Sequence, residues 1–423
     1  MLEGDDPNRA CLAPLPPLRL PERSLSAEAP GHRSLRQDVV PTRYTNLPAA
    51  RAEFGDRVDR LGTYLARTDP LADEAMAAAG RMPERTGWSL LLQMLRAEAP
   101  GAPGTTPDAS DVPEAFRAFV REASRVPVWV DWDLVRRGGR VLLRAGPLGG
   151  LVLGLKSLVL AYASPGGNKP LVRTGQLIEQ AAMRLHETAR FVGATVMDAR
   201  GSLRPGSPGW QTTLQVRLVH ARVRRTILDS GTWDAAAWGA PINQHDQAGT
   251  LILFSVAVLE GLRQLGMTIT DEEADAYMHL WRWSGWLIGV DPELLPATER
   301  EGARLGALIR ATQGPPDDDS RALTRALLRS APRGAGRRGE ARVPIVSAAL
   351  CRTLVGDDVA DALDVPRTPW QRAVPAVRRL VSAVDFATKA IPGGPDFALD
   401  RGRRYWERVE AQRESRPSES RSS

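Results

Sequence analysis

Apolar residues recur at intervals of three and four along most of the chain, the period that places them on one face of an α-helix. Phe54, Val58, Leu61 and Leu65 follow that spacing, and segments 47–67, 71–80 and 85–97 are predicted as amphipathic helices. The run Pro100-Gly-Ala-Pro-Gly-Thr-Thr-Pro-Asp-Ala-Ser110 interrupts the period, because Gly and Pro do not sustain a helix. Helical spacing resumes over 112–122, with Ser110 or Asp111 placed to cap it, and over 151–162, 176–197 and 212–226. Residues 242–267 read as one long apolar helix, started near Pro241 and ended by Gly266. Thr270-Asp-Glu-Glu273 has the arrangement of a capping box for a helix running to Val290. Segments 297–312, 320–328, 343–354 and 370–389 continue the pattern. No strand-like alternation runs beyond about five residues and no repeat is visible, so the expected fold class is all-α, a multi-helix globular bundle.

The breaks in this pattern divide the chain. Residues 1–41 are rich in Pro and Arg without apolar period and read as a disordered arm, and residues 42–100 form an N-terminal helical lobe. Residues 110–312 form the core, and 313–410 are C-terminal helices carrying an Arg/Gly linker at 331–342. Residues 411–423 read as a disordered polar tail.

Composition narrows the function classes. Lys+Arg exceeds Asp+Glu by 56 to 50 over 423 residues, a net charge of +6. The basic residues are interspersed with acidic ones, and the densest run, 333–342, has the Gly/Ala/Pro content of a linker, so no nucleic-acid partner is expected. Two distant cysteines, Cys11 and Cys351, give neither a disulfide framework nor a Cys-rich metal site. The longest apolar stretches, 147–163 and 248–259, fall short of the roughly 20 residues that a bilayer span needs. No basic start with an apolar run opens the sequence, so the expectation is a cytoplasmic protein without a membrane span.

Candidate chemistry concentrates between Thr174 and Arg225. Arg184, Glu187 and Thr188 stand three and four residues apart, on one face of the 176–197 helix. His220 lies on the 212–226 helix with Arg217 and Arg224 about one turn away on either side. The Gly/Pro loop 199–209 joins the two segments as an antiparallel pair, and residue 204, midway between Thr188 and His220, falls within it. Both clusters are then at about the same height. His186-Glu187 is not followed by a second zinc-binding histidine, and no paired Glu-x-x-His motif marks a di-iron site. A lone His on an apolar face with arginines nearby suits a non-covalent haem, with imidazole on iron and arginines for the propionates. It equally suits a satisfied core histidine. Lys169 and Arg173 are placed to meet carboxylates or to sit in a solvated turn, and Trp281, Trp283 and Trp286 to pack the core or to edge a flat ring, with Gly285 and Gly289 permitting close approach.

Four motifs in order are Arg184-x-x-x-Thr188, Arg217-Leu-Val-His220-Ala-x-Val-Arg224, Asn243-Gln-His-Asp-Gln-Ala-Gly-Thr250 and Trp281-Arg-Trp-Ser-Gly-Trp-Leu-Ile-Gly-Val290. Together they resemble the catalytic domain shared by latex-clearing rubber oxygenases and the fungal MpaB-type oxygenases, over roughly residues 112–310. The resemblance implies an all-α fold enclosing a b-type haem pocket, with His220 as the proximal iron ligand and Arg184 and Thr188 as polar residues of that pocket. Arg217 and Arg224 stand as cofactor-binding candidates, and Glu187 as a possible acid/base beside Arg184 and Thr188. At Glu187 the rubber-cleaving members of the family carry a lysine able to cap the distal side of the iron. The implied activity is a haem b-dependent oxygenase acting with dioxygen on an apolar, isoprenoid-like substrate. The alternative is a non-catalytic haem-binding or helical scaffold protein.

Overall fold

The computed structural model describes residues 40–83, 86–98, 112–173, 181–197, 203–330 and 336–411; the side chains of residues 173, 181–184 and 336–342 lie outside that description. Among the described residues every regular element is helical, and the only extended pairing is a single bridge between Tyr44 and Gln313. The all-α expectation holds. The Gly/Pro-rich break at 100–110, and Thr174, placed by its sequence to cap the next helix, lie outside the described residues.

The helix Trp132–Ala145 packs against three later helices, Ala181–Val196, Asp271–Leu287 and Gly394–Ala411. Asp131 caps it by accepting from the backbone N–H of Asp133 at 2.8 Å and of Leu134 at 3.2 Å. It packs along Asp271–Leu287, and a Cβ built on Gly138 would stand 2.3 Å from the carbonyl oxygen of Ala276. Only a residue without a side chain lets the two backbones approach this closely. The capping box at Thr270 and Glu273 is present as expected, and it starts a helix that ends at Leu287.

Two expected continuous helices are each broken in two. Gly55, at φ 63°, separates Leu47–Phe54 from Arg57–Thr63, a conformation open to glycine but costly for most residues. The expected 242–267 helix is Gln244–Phe254 followed by Val256–Gln264, with the break at Ser255. Ser255 leaves helical geometry while its hydroxyl donates to the Leu251 carbonyl at 2.8 Å, a local bond that competes with the helix ladder. Of the run expected as a linker at 331–342, residues 331–335 are outside the described set and residues 336–342 belong to the helix Gly336–Val355.

The helix Gly394–Ala411 is not apparent from the apolar spacing. It packs on Trp132–Ala145 and on Ala181–Val196, burying Trp406 completely. A second apolar cluster joins Val159 and Tyr162 to Leu323, Leu327, Ala348 and Cys351. Among the described residues no single helix is long and apolar enough to cross a membrane. One pair, Trp132–Ala145 with Pro147–Tyr162, passes that test jointly but is bent by 88°.

Candidate functional site

The helix carrying His220 runs from Pro208 to Asp229, longer than its apolar spacing indicated. Ser207 caps it by accepting from the Trp210 N–H at 3.3 Å, and Pro208 occupies the first turn, where its missing N–H costs nothing. It packs against Ala181–Val196, and Gly209 at its start lies against the Ala194 carbonyl near the end of that helix. The hairpin read from the sequence is therefore formed. On Ala181–Val196, Glu187 and Thr188 are half-buried, while Phe191, Val192 and Val196 are buried in the core. The side chain of Arg184 lies outside the described residues.

His220 is deep in the protein yet retains some accessible surface, and its Nδ1 is buried without a hydrogen-bond partner. Burial, and after it the positive charge of Arg224, push its pKa down from 6.5 to about 4, against smaller opposing contributions from Asp69 and Gln247. At neutral pH the ring is uncharged. A neutral imidazole keeps a nitrogen lone pair, the form that coordinates a metal.

The two arginines beside it are held by the N-terminal lobe. Arg217 is buried and engages Asp69 with two parallel bonds, Nε to Oδ2 at 2.6 Å and Nη2 to Oδ1 at 2.9 Å, while Nη1 donates to the Leu287 carbonyl at 3.3 Å. Asp69 also caps Pro70–Gly80. Gly289, at φ 88°, clears the space: a Cβ there would lie 2.4 Å from Asp69 Oδ2 and 2.6 Å from Arg217 Nε. The close approach anticipated at Gly289 is thus made by an ion pair. Arg224 is buried, with Nε on Asp73 Oδ1 at 2.8 Å and Nη1 on the Ile242 carbonyl at 2.8 Å, and its Nη2 has no partner.

The Asn243–Thr250 motif builds the adjoining helix, Gln244–Phe254. Asn243 is its cap, accepting from the Asp246 N–H at 3.0 Å and donating to Asp246 Oδ2 at 3.0 Å. Gln244 ties three segments together through bonds of 2.9 Å to the carbonyls of Thr68 and Gly289 and one of 2.8 Å from the Asp291 N–H. Asp246 pairs with Arg43 and lies 3.3 Å from His245 Nδ1. Burial alone would raise Asp246, but the Arg43 charge and the His245 contact outweigh it and hold the carboxyl at about 2. His245 is buried with Nε2 unpartnered, and burial lowers its pKa. Gln247, from the same helix, is the residue that reaches His220, and its own Nε2 is buried without a partner. Sequence reading placed this motif near the pocket but did not single out Gln247; its position one helical turn beyond the Asn243 cap was the available signal.

The aromatic residues divide by role. Trp283 donates Nε1 to the Leu203 carbonyl at 3.1 Å and meets Trp129 and Trp132 edge-on, which is core packing. Trp281 stacks on Phe254 at 5.1 Å and tilts against Phe191 at 6.2 Å, with its Nε1 buried and unpartnered. Phe191 stands one turn from Thr188 on the Ala181–Val196 helix, so this aromatic group borders the Glu187–Thr188 segment. Away from these residues, Lys169 meets Asp317 at 2.6 Å and also pairs with Asp319, resolving the alternatives at that position in favour of carboxylates.

Four buried nitrogens here have no protein hydrogen-bond partner: His220 Nδ1 and Arg224 Nη2, one turn apart on the Pro208–Asp229 helix, and His245 Nε2 and Gln247 Nε2 on Gln244–Phe254. Leaving such a group unmade costs about 1–3 kcal/mol, a cost that a bound group with acceptor atoms would offset. Among the described residues no three His, Cys, Asp or Glu side chains converge to hold a metal ion. The donor set fits a planar macrocycle bearing carboxylates: one neutral nitrogen for a metal, unpaired N–H groups for acceptors, and apolar aromatic surface beside them.

The ER-bound oxygenase mpaB/B'/rubber oxygenase catalytic-domain model matches residues 132–386, more than half of the chain. The chain belongs to this family. It is similar to the rubber oxygenase of Streptomyces sp. (strain K30), 28% identical over 232 residues, which are 54% of this chain and 55% of that protein. The chain therefore spans about half the length of the curated relative it matches. Its fold is similar to that of latex clearing protein LCP in the closed state, with a TM-score of 0.61 and 24% identity over 81% of this chain and 88% of that one.

Proposed function

We propose that this family member is a haem b-dependent oxygenase acting with dioxygen on an apolar, isoprenoid-like substrate, with His220 as the protein's ligand to iron. The observation that carries the proposal is His220 itself: a deep, neutral imidazole, at the position of the family motif, flanked by arginines and by unpaired buried donors. When bound, haem supplies an iron centre at which dioxygen is activated. The chain's own residues supply the rest. His220 offers its lone pair because burial and Arg224 keep it unprotonated. Gln247 orients the ring, and Arg224 Nη2 is a free donor for a carboxylate. Arg217, fully engaged by Asp69 and Leu287, acts by fixing the His220 helix against the N-terminal lobe. Glu187 and Thr188 present polar side chains on the packed Ala181–Val196 helix, with Arg184 three residues before Glu187 in the sequence, and Glu187 in its ionised form accepts but cannot donate. Phe191, Phe254 and Trp281 exclude water and favour an apolar substrate.

A second reading, a haem-binding protein without oxygenase turnover, is favoured by one residue, Glu187, where a lysine stands in the pattern that the rubber-cleaving members resemble. Cysteine usage, with Cys351 free and buried, supports a reducing compartment, and we assign the protein to the cytoplasm.

Absorption spectra of the purified protein with and without added haem test the cofactor. A Soret band that shifts with dithionite and CO is expected, and His220→Ala is expected to lose most of the haem while keeping its helical circular dichroism. Wild-type occupancy in that variant removes the ligand assignment. Oxygen consumption with an unsaturated isoprenoid then separates the oxygenase from the binding protein.

A further inference from the structure

The helix Val374–Ala390 meets the rest of the protein through few apolar side chains, Val374, which is buried, and Val381, which packs against the main apolar cluster, and through polar bonds: Asp385 is buried, pairs with Arg144 at 2.6 Å and accepts from the Thr268 N–H at 3.0 Å, and Ser382 donates to the Gly266 carbonyl at 2.8 Å. Most of its apolar residues point to solvent. Val377, Leu380, Val384, Ala387 and Ile391 follow alternating spacings of three and four and are all exposed, with the exposed Ala376, Ala383 and Ala390 forming the adjoining row. Leu380 is 65% exposed and Phe386 75%, with Trp370 exposed before the helix and Phe397, 62% exposed, after it. Seven of the eleven exposed large hydrophobic side chains among the described residues fall between positions 370 and 397. Scattered apolar residues need no explanation, but a concentration of this kind marks a surface that something covers.

Charge identifies the occupant. Between residues 366 and 395 the basic residues are Arg367, Arg372, Arg378, Arg379 and Lys389, and the only acid is Asp385, which is buried. Arg372, Arg378 and Arg379 are exposed and enter no ion pair among the described residues. Exposed acids bound the segment on both sides, at Asp364 and at Asp396 beside Phe397, and Arg367 pairs with Asp361 at 2.8 Å. A second copy of the chain docking through this face would set arginines against arginines. A dedicated helical partner would normally find charged residues flanking the stripe to fix its register, whereas the flanking positions here are Ala376, Val381, Ala383, Thr388 and Ala390. An outward apolar face with exposed Trp and Phe, on a segment whose exposed charged side chains are all Arg or Lys, instead matches the interface of an anionic bilayer, where apolar side chains enter the acyl boundary and basic side chains meet lipid phosphates.

We propose that the Trp370–Phe397 surface is a peripheral docking site for anionic membranes, lying in the interface without spanning it. The inference does not rest on the oxygenase reading, and its test needs no cofactor. The full-length protein is mixed with vesicles of phosphatidylcholine, with or without phosphatidylserine, and bound protein is measured by flotation at low and high salt. Binding to the phosphatidylserine vesicles, weakened by salt and by omission of phosphatidylserine, is expected. The double variant Leu380→Asp/Phe386→Asp, at sites too exposed to matter for folding, is expected to lose binding by about tenfold or more. Arg378→Glu/Arg379→Glu is expected to abolish the preference for phosphatidylserine. Circular dichroism and elution volume should be unchanged in both variants. Absence of binding to the anionic vesicles overturns the proposal, as does binding unaffected by Leu380→Asp/Phe386→Asp. A wild-type dimer that the same variant converts to monomer also overturns it and gives the face to a second copy.

Discussion

Arg217 and Arg224 have the same side chain one turn either side of His220, and the structure gives them different duties. Arg217 has its donors satisfied inside the protein by a buried carboxylate and a carbonyl. Removing it strands Asp69 as an unpaired buried charge, so Arg217→Ala is expected to destabilise the fold by about 3–5 kcal/mol, read as a lowered denaturant midpoint. The sequence showed the spacing of the arginines but not their partners, because Asp69 lies 148 residues away from Arg217. A second expectation concerns pH. His220 has a folded pKa of about 4 against 6.5 when unfolded, and His245 is also lowered. Above pH 6.5 both folded and unfolded states leave His220 neutral, and between pH 6.5 and 4 only the unfolded state takes up the proton. Stability of the cofactor-free protein should therefore fall as pH drops through that window, by on the order of 3 kcal/mol from His220. Melting temperatures of wild type and His220→Phe, compared from pH 7 to 4, check this: the variant's slope should be shallower.

At the scale of elements, apolar periodicity identified most helices, and it failed where continuity depended on one residue. Gly55 and Ser255 break helices whose apolar period runs straight through them, because a change of direction need not disturb the order of apolar residues. The Gly394–Ala411 helix was missed because Asp, Arg and Glu fill most of its turns, leaving few positions to mark the buried face. The crossing of Trp132–Ala145 with Asp271–Leu287 turns on Gly138. Gly138→Ala improves helix propensity yet places a methyl group 2.3 Å from the Ala276 oxygen. Backbone separation must follow, and a net loss of about 1–3 kcal/mol in chemical denaturation is expected despite the better helix former.

For the whole molecule, the site depends on elements far from it in sequence. The N-terminal lobe supplies Asp69 and Asp73 to the His220 helix, and the C-terminal helix supports the facing one through Trp406, which is buried against Trp132–Ala145 and Ala181–Val196. Trp406→Ala is expected to cost about 3–5 kcal/mol in stability. It should also reduce retention of added haem, because the helix that carries Glu187 and Thr188 loses its support at Gly193. Equal haem retention in a folded Trp406→Ala protein would detach that segment from the site.

The sequence by itself determined the helical class, the hairpin that carries Thr188 and His220, the Thr270 capping box and the family motifs. These depend on neighbours a few residues apart, where 3.6-residue periodicity and capping chemistry act. Tertiary structure alone decided that Arg217 serves Asp69, that Gln247 reaches His220, that Gly289 makes room for an ion pair, and that the apolar face of Val374–Ala390 looks outward. The physical reason is common to all four. A charge, a hydrogen-bonding group or an apolar stripe is visible in the sequence, but the group that satisfies it, or leaves it to solvent, is brought there by packing between distant segments.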